Sequence, residues 1–583
     1  MALNPRISRR HLMSGAAGLT GAALLGSGPV RDAAAAVAAG PAAGGEPPPG
    51  PASLEFDLRA YVELDATLLH TQKATYPRIK QLADGRYLLL YQDAQIGWNI
   101  FWSLSDDLQT WSDPQKIFAA HKVMDGQDDQ AYSTADAVVL ANGDILAVCS
   151  YRASKNFYHV WDVSGLAMRR STDNGATWGE ERVIYVGPNW EPYLCQLASG
   201  EVQVYFSHIA PKMAVEDTPH SSGVAIIRSF DDGATWVPNV TSHPYAADRI
   251  AQQYRKTNEN GVKMFTDQMP SAIETGQPGE IALAVESAQP DDGPMKISLI
   301  HTDGNWPETL EMDETGPADR VNNIFPGAAP YLAQFGTGET VLAYNTGSRQ
   351  YLRLGDSEAR TFGEPHDYLP GTGYWGSILV TGDRTLVSSM AYVRTGGNAI
   401  MIGTLHLNRT LIAQHFPRRA TADVRVWPVS SDVLFVGSGS QAQATIRAGR
   451  HGTILLLRLE RRDDHLVDGD TVTIYLASRR SADRRLRLTI DRHGAVSVAA
   501  FAEGVYTNDD TAVTSRSVDS ARDDALAWEL AVPLVPMRSH GADLGVTATL
   551  TNVDEPGGAA VTTTLVGVDL DDPRTWFDLR LGG

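Results

Sequence analysis

Two glutamates stand out by their setting. Glu191 lies between Trp190 and Pro192 in "NWEPYL", a rigid and partly apolar context, and Glu286 closes the apolar run of "IALAVES". Burial raises a carboxyl pKa and a nearby guanidinium lowers it, so such a pair separates into a proton donor and a carboxylate. Cleavage of a glycosidic bond needs that division of labour, with aromatic faces to stack on the apolar side of a sugar ring. Other polar and aromatic residues sit just before or at the start of a short apolar strand. They are Arg78 in "YPRI", Asp136 in "ADAVV", Asp267 and Gln268 in "DQMPSA", and Tyr374 with Trp375 in "GYWGSI". Gathered at one place, these residues would make an acid-rich bowl with a guanidinium and aromatic walls. A hydrophobic core has no such composition.

Something must gather them, and the chain repeats a hairpin that could. "PRIKQLADGRYLLLY", "ADAVVLANGDILAVC", "EPYLCQLASGEVQVYF", "PSAIETGQPGEIALAVE", "PYLAQFGTGETVLAY" and "WGSILVTGDRTLVSS" each read as strand, glycine turn, strand. The turn glycines Gly85, Gly143 and Gly200 are 58 and 57 residues apart; Gly279 and Gly338 are 59 apart. A second repeat, "STDNGATW" at 171–178 and "SFDDGATW" at 229–236, falls between the outer strands of the second and third units, with decayed copies at "SDDLQTW" and "DSEARTF". Hairpins repeating on this scale predict an all-β, six-bladed β-propeller over about 55–415, whose innermost strands line a central channel.

The Ser-x-Asp-x-Gly-x-Thr-Trp copies are Asp-boxes, and with the six hairpins they resemble the sialidase superfamily. The resemblance implies a structural role for Asp173, Asp231, Trp178 and Trp236, on the side away from the channel's active end. "TYPRIKQLADG", "NWEPYLCQLASGEVQVYFS", "DQMPSA…LAVES", "RLGDSEARTF" and "GYWGSI" look most like glycoside hydrolase family 93, the exo-acting arabinanases, over about 60–410. That likeness implies Glu191 and Glu286 as the catalytic pair of a retaining hydrolase, with carboxyl groups about 5–5.5 Å apart. Arg78, Asp136, Gln268, Arg353, Tyr374 and Trp375 would then hold the sugar. An insertion at 240–266 lengthens the separation of the two glutamates and could roof the site.

Two alternatives remain at this stage. A sialidase would bind its substrate's carboxylate through three arginines, with Arg78 first and Arg353 or Arg349 third, and would use Tyr374 as nucleophile beside Glu286. The segment after Glu286 offers only Lys296 for the second arginine, and Lys does not reproduce a bidentate clamp. A non-catalytic carbohydrate-binding propeller would have no need of opposed carboxylates.

The 583-residue chain has a formal net charge of −20, which disfavours nucleic acid as a partner and suits a soluble extracellular protein. The expected partner, a polysaccharide or oligosaccharide substrate, follows from the site residues and the family likeness. Arg9 and Arg10 before a Gly/Ala-rich apolar run resemble a twin-arginine export signal over 1–40, followed by a Pro/Gly-rich linker at 41–54, so secretion is expected. No later segment is apolar enough to span a membrane. The absence of a Cys/His cluster gives no reason to expect a metal or cofactor, and Cys149 and Cys195 could pair or remain buried thiols. From about 420 to 583 short alternating strands predict a β-sandwich. It resembles the family 9-like carbohydrate-binding modules, with Trp427 and Trp528 as candidate stacking residues.

Overall fold

The structure, a computed structural model, describes residues 51–581 except 156–160, 210–221, 241–244, 258–260, 262, 277, 289–293, 308–319, 395, 417–426, 428–432, 438–441, 479–480, 521–524, 535–536 and 538–542. The export signal and most of the linker expected at the N-terminus lie outside the described residues. The chain divides into two compact units. One is built on Val62–Gly403, and the other on Thr404–Gly583 with the segment ending at Tyr61.

The first unit is a six-bladed β-propeller of antiparallel sheets. Blade one runs outward through Thr75–Gln81, Tyr87–Gln92, Ile100–Ser105 and Gln115–Phe118. Blade two starts from Asp128–Val139, blade three from Asn189–Gln196, blade four from Gln268–Glu274, blade five from Ala328–Gln334 and blade six from Gly373–Thr381. The sixth sheet takes its outermost strand, Ser53–Leu64, from the other end of the chain. Apolar residues on facing sheets pack blade against blade: Leu88 and Ala147 share one cluster, Leu146 and Val204 the next, and Ile79 and Ile400 a cluster between blades one and six. The circle is closed by side-chain burial as well as by strand order.

Both complete Asp-boxes turn the third strand of their blade. In blade two, Ser171 Oγ accepts the Gly175 amide at 2.9 Å and donates to Asp173 Oδ1 at 2.8 Å, and Asp173 accepts the Thr177 amide at 2.9 Å. Ser229, Gly233, Asp231 and Thr235 repeat these bonds in blade three. Gly175 and Gly233 hold φ of +78° and +82°, a conformation that costs a side chain about 1 kcal/mol or more. The boxes lie at the end of the inner-hairpin turns, where Arg86 Nη2 reaches the Asn174 carbonyl at 3.2 Å. They are therefore remote from the opposite end of the channel.

The second unit is a β-sandwich. Strand Leu411–His415 joins its two sheets, lying parallel to Gln443–His451 on one side and to Phe577–Leu581 on the other. Ile446, Leu457 and Leu530 from one sheet meet Ile474, Leu488 and Ala548 from the other in a single dry core.

Candidate active site

Each inner strand begins with the same distortion. Tyr76, Thr134, Glu191, Met269, Ala329 and Trp375 all have φ between +47° and +58°, and at each the pairing to the second strand shifts register as in a β-bulge. Left-handed backbone is uncommon away from glycine, and six copies at one level of a channel mark a designed rim. Pro77, Pro192, Pro270 and Pro330 follow four of these residues. Proline disfavours right-handed helical backbone in the residue before it, which removes the commonest competing conformation. In blade six the following residue is Gly376, where a Cβ would collide with Gln350 and the Ser389 carbonyl.

The twisted amides are held by the preceding blade. Gln92 Oε1 accepts the Thr134 amide at 2.7 Å, Ser207 Oγ accepts Met269 at 2.9 Å, and Asn345 Oδ1 accepts Trp375 at 3.3 Å. Each acceptor stands opposite the residue just before its own blade's bulge: Gln92 faces Thr75, Ser207 faces Trp190, and Asn345 faces Ala328. Glu286, opposite Gln268, is the blade-four member of this set, and its Oε2 accepts the Ala329 amide at 2.8 Å. Neutral side chains perform this task elsewhere. The glutamate adds a second oxygen, Oε1, which is buried with no hydrogen-bond partner.

Glu191 is the blade-three bulge residue itself, so its side chain enters from the rim. Its amide is held by Thr134 Oγ1 at 3.2 Å and its Oε2 accepts from Ser207 Oγ at 2.7 Å. Ser207 thus ties Glu191 and the blade-four rim together. Burial pushes the Glu191 carboxyl up to about 7, against the opposing pull of Ser207, Arg152 and Arg78. Burial also pushes Glu286 up to about 8; the Ala329 amide lowers it and the Glu191 charge raises it further. Among the described residues no guanidinium offsets Glu286. The two carboxyl groups therefore interact, and the proton rests more readily on Glu286 while Arg78 and Arg152 favour charge on Glu191.

Arg78 lies one layer below the rim, fully buried. Its Nη1 donates to the Pro77 carbonyl at 2.7 Å and the Trp375 carbonyl at 3.4 Å, while Nε and Nη2 have no acceptor. A buried guanidinium with idle donors is costly unless a ligand completes it. Above it Tyr76 stacks on Trp375, with ring centroids 4.8 Å apart and planes 17° from parallel, and Tyr374 meets Trp375 edge-on at 4.3 Å. The Tyr76 phenol feels the charges of both Glu191 and Glu286.

Other expected residues lie elsewhere. Asp136 shares the Arg78 layer but is spent on the fold: Oδ1 pairs with Lys80 Nζ at 2.8 Å, both groups fully buried, and Oδ2 accepts the Leu194 amide at 3.1 Å. Arg353 is on the third strand of blade five, over the Phe325 ring at 4.4 Å, and donates to the Gly363 carbonyl, so it is outside the channel. Arg349 pairs with Asp367 at the exposed edge of the same blade. Gln268 is at the rim and donates to Ser222 Oγ at 2.8 Å. Asp267 forms a two-point ion pair with Arg320 at 2.7 and 2.8 Å, and Arg320 also reaches Ser287 at 3.0 Å. Trp427 and Trp528 are 5% and 4% exposed in the interior of the sandwich unit, so they offer no stacking surface. Cys149 and Cys195 are free buried thiols.

Sequence reasoning missed Arg152, Ser207 and Tyr76. Arg152 covers the Trp190 ring at 3.8 Å and acts on Glu191. Its signal was available: it is the penultimate residue of the second strand of blade two, two residues beyond Ser150, and Ser150 faces Ser133 before the blade-two bulge. Of the expected 240–266 insertion, Asp248–Ala251 is the fourth strand of blade three, and the hairpin Gln253–Thr257 with Lys263–Thr266 leads directly into Asp267 and the blade-four rim. Among the described residues no group of three or more His, Cys, Asp or Glu side chains gathers to hold a metal ion.

The first unit is thus a six-bladed propeller with two interacting carboxyl groups at one end of its channel. No family model matches the chain, and no curated protein matches it. Solved structures resemble it at a distance. A protein of unknown function from Dyadobacter fermentans is 14% identical, covering 62% of this chain and 99% of that one, with a TM-score of 0.44. The GH93 alpha-L-arabinofuranosidase of Fusarium graminearum, solved with arabinobiose, is 17% identical over 57% of this chain and 93% of its own, with a TM-score of 0.41. A Trypanosoma rangeli sialidase, solved with sialic acid, is 11% identical over 86% and 95%, with a TM-score of 0.40. The blade count rests on the strand order described above.

Proposed function

We propose that the chain is a secreted, exo-acting glycoside hydrolase whose first unit cleaves terminal sugars from a polysaccharide or oligosaccharide. One observation carries the reading. Glu286 occupies a position that blades one, three and five fill with a neutral amide or hydroxyl, yet it presents an unpartnered carboxyl oxygen to a channel end that also holds Glu191. A fold needs the clamp there; it has no use for the extra buried acid.

In this reading Glu286 is the general acid. Its proton passes to the glycosidic oxygen as the bond to the anomeric carbon breaks, and the Glu191 carboxylate attacks that carbon from the other side to form a glycosyl ester. Glu286, now ionised, takes a proton from water, and the water oxygen displaces Glu191. Ser207 orients Glu191, and Arg152 with Arg78 stabilises it as an anion. Arg78 donates its idle Nε and Nη2 to sugar hydroxyls, and Tyr374, half-buried and braced edge-on by the buried Trp375, supplies the apolar wall. Two displacements retain the anomeric configuration. Following the first-formed anomer by NMR tests this: release of the inverted sugar would reject Glu191 as nucleophile.

A further inference from the structure

A cleft of about 530 Å³ opens on the flank between blades one and two, outside the channel. Its base is aromatic. Trp102, on the third strand of blade one, meets Trp178 edge-on at 6.3 Å, and the buried Tyr132 lies alongside. Its walls carry both signs of charge: Arg169, Glu181 and His121 from the blade-two sheet and Lys116 from blade one. Glu181 accepts from Tyr132 Oη at 2.9 and 3.0 Å and stays 24% exposed. Arg169 spends Nη1 on the Gly179 carbonyl at 2.7 Å, stands 3.8 Å from Glu181, and keeps a buried Nε without a partner.

The Asp-box tryptophans are not equivalent across the cleft's boundary. Trp236, in the blade-three box, is buried at 6% exposure, whereas its blade-two counterpart Trp178 is only half-buried and lines the cleft. Pinning the turn requires the first arrangement only. An aromatic face left open beside donors and acceptors is how proteins hold a ligand with one apolar face and a rim of hydroxyls that both donate and accept. Walls of one sign would select an ion; walls of mixed sign favour a neutral polyol. The volume lies in the range of small-ligand sites, about 300–1,000 Å³.

We propose that this cleft is a second sugar-binding site, which docks a mono- or disaccharide stretch of a neutral polysaccharide on the flank of the propeller, with Trp178 as the stacking face and Arg169 and Glu181 as hydroxyl partners. It is independent of bond cleavage and would tether a polymer to the unit that holds the channel.

Affinity electrophoresis of the full-length protein through gels containing arabinan, galactan, xylan, dextran or polygalacturonate tests it without reference to catalysis. Two variants are compared with the wild type: Trp178→Ala, which deletes the stacking face, and Ala119→Trp, which fills the mouth of the cleft from an exposed position and leaves the Asp-box intact. At least one neutral polymer should retard the wild type, with apparent affinity falling tenfold or more in both variants while their turnover of a short oligosaccharide stays at the wild-type level. Unaltered retardation in Ala119→Trp, retardation by polygalacturonate alone, or no retardation in any gel would overturn the proposal.

Discussion

Glu286 holds the backbone of Ala329 across a blade boundary, its Oε2 2.8 Å from the amide nitrogen, in the place where Gln92 holds Thr134 and Asn345 holds Trp375. The clamp and the chemistry reside on different oxygens, so they can be separated. Glu286→Gln keeps an acceptor for the amide, as the other blades do, and should fold with wild-type stability or better at neutral pH. Glu286→Ala orphans a buried amide and opens a cavity, which should cost roughly 2–4 kcal/mol in denaturant unfolding of the propeller. Equal stability of the two variants would show that the clamp contributes nothing.

Burial raises both site carboxyls above the ordinary glutamate value of 4.5, to about 7 for Glu191 and about 8 for Glu286. A group that binds its proton more tightly when folded favours the native state at low pH, and that contribution is lost as pH rises through the unfolded and then the folded value. The pair should therefore destabilise the propeller progressively between about pH 4.5 and 8. Tm measured against pH should show Glu191→Gln and Glu286→Gln above wild type at pH 8, with the difference closing toward pH 4.5. Comparison with the wild type removes the parallel contribution of Glu55, which lies in the other unit. A constant difference across that range would mean that neither group is abnormally protonated.

The blades were legible in the sequence because their punctuation is chemical. Asp173 and Asp231 bond their own turns, and Gly85, Gly143 and Gly200 supply left-handed backbone at fixed intervals. Glu191 and Glu286 were legible because a carboxyl beside Trp-Pro or at the end of an apolar run has few bland explanations. Register was harder to read. Aligning Arg78 and Asp136 with Glu191 placed all three at the rim, but the bulge sets the level, and Arg78 and Asp136 lie two residues beyond it. The prolines carried the correct alignment: "YPRI", "EPYL", "MPSA" and "APYL" superpose Tyr76, Glu191, Met269 and Ala329. Arg353, Trp427 and Trp528 were misplaced because exposure of a strand residue depends on its face and on what covers it, which periodicity alone does not show.

Asp136 and Arg78 share a layer and should behave in opposite ways. Asp136→Ala strands the Lys80 ammonium in the channel and should cost about 3–5 kcal/mol, with KM unchanged in whatever protein folds. Arg78→Met removes a buried guanidinium with two idle donors, so stability should hold or rise while kcat/KM falls at least tenfold. Unfolding titrations and steady-state kinetics on both variants distinguish them. A loss of substrate affinity in Asp136→Ala without a loss of stability would return Asp136 to the sugar.

Export is testable separately. If Arg9 and Arg10 form a twin-arginine signal, replacing both with Lys should leave the protein inside the cell, while unchanged release into the medium would show that they are incidental.

The most direct test of the central claim is the turnover of wild type, Glu191→Gln and Glu286→Gln on arabinan, sialyl and uronate-bearing oligosaccharides. Glutamine preserves shape and removes the proton or the charge. Wild type should release the terminal sugar from at least one substrate, and each variant should lose about three orders of magnitude or more in kcat with substrate binding largely intact. Near-full activity in both variants would contradict the assignment of Glu191 and Glu286, and failure of the wild type on every substrate would contradict the hydrolase itself.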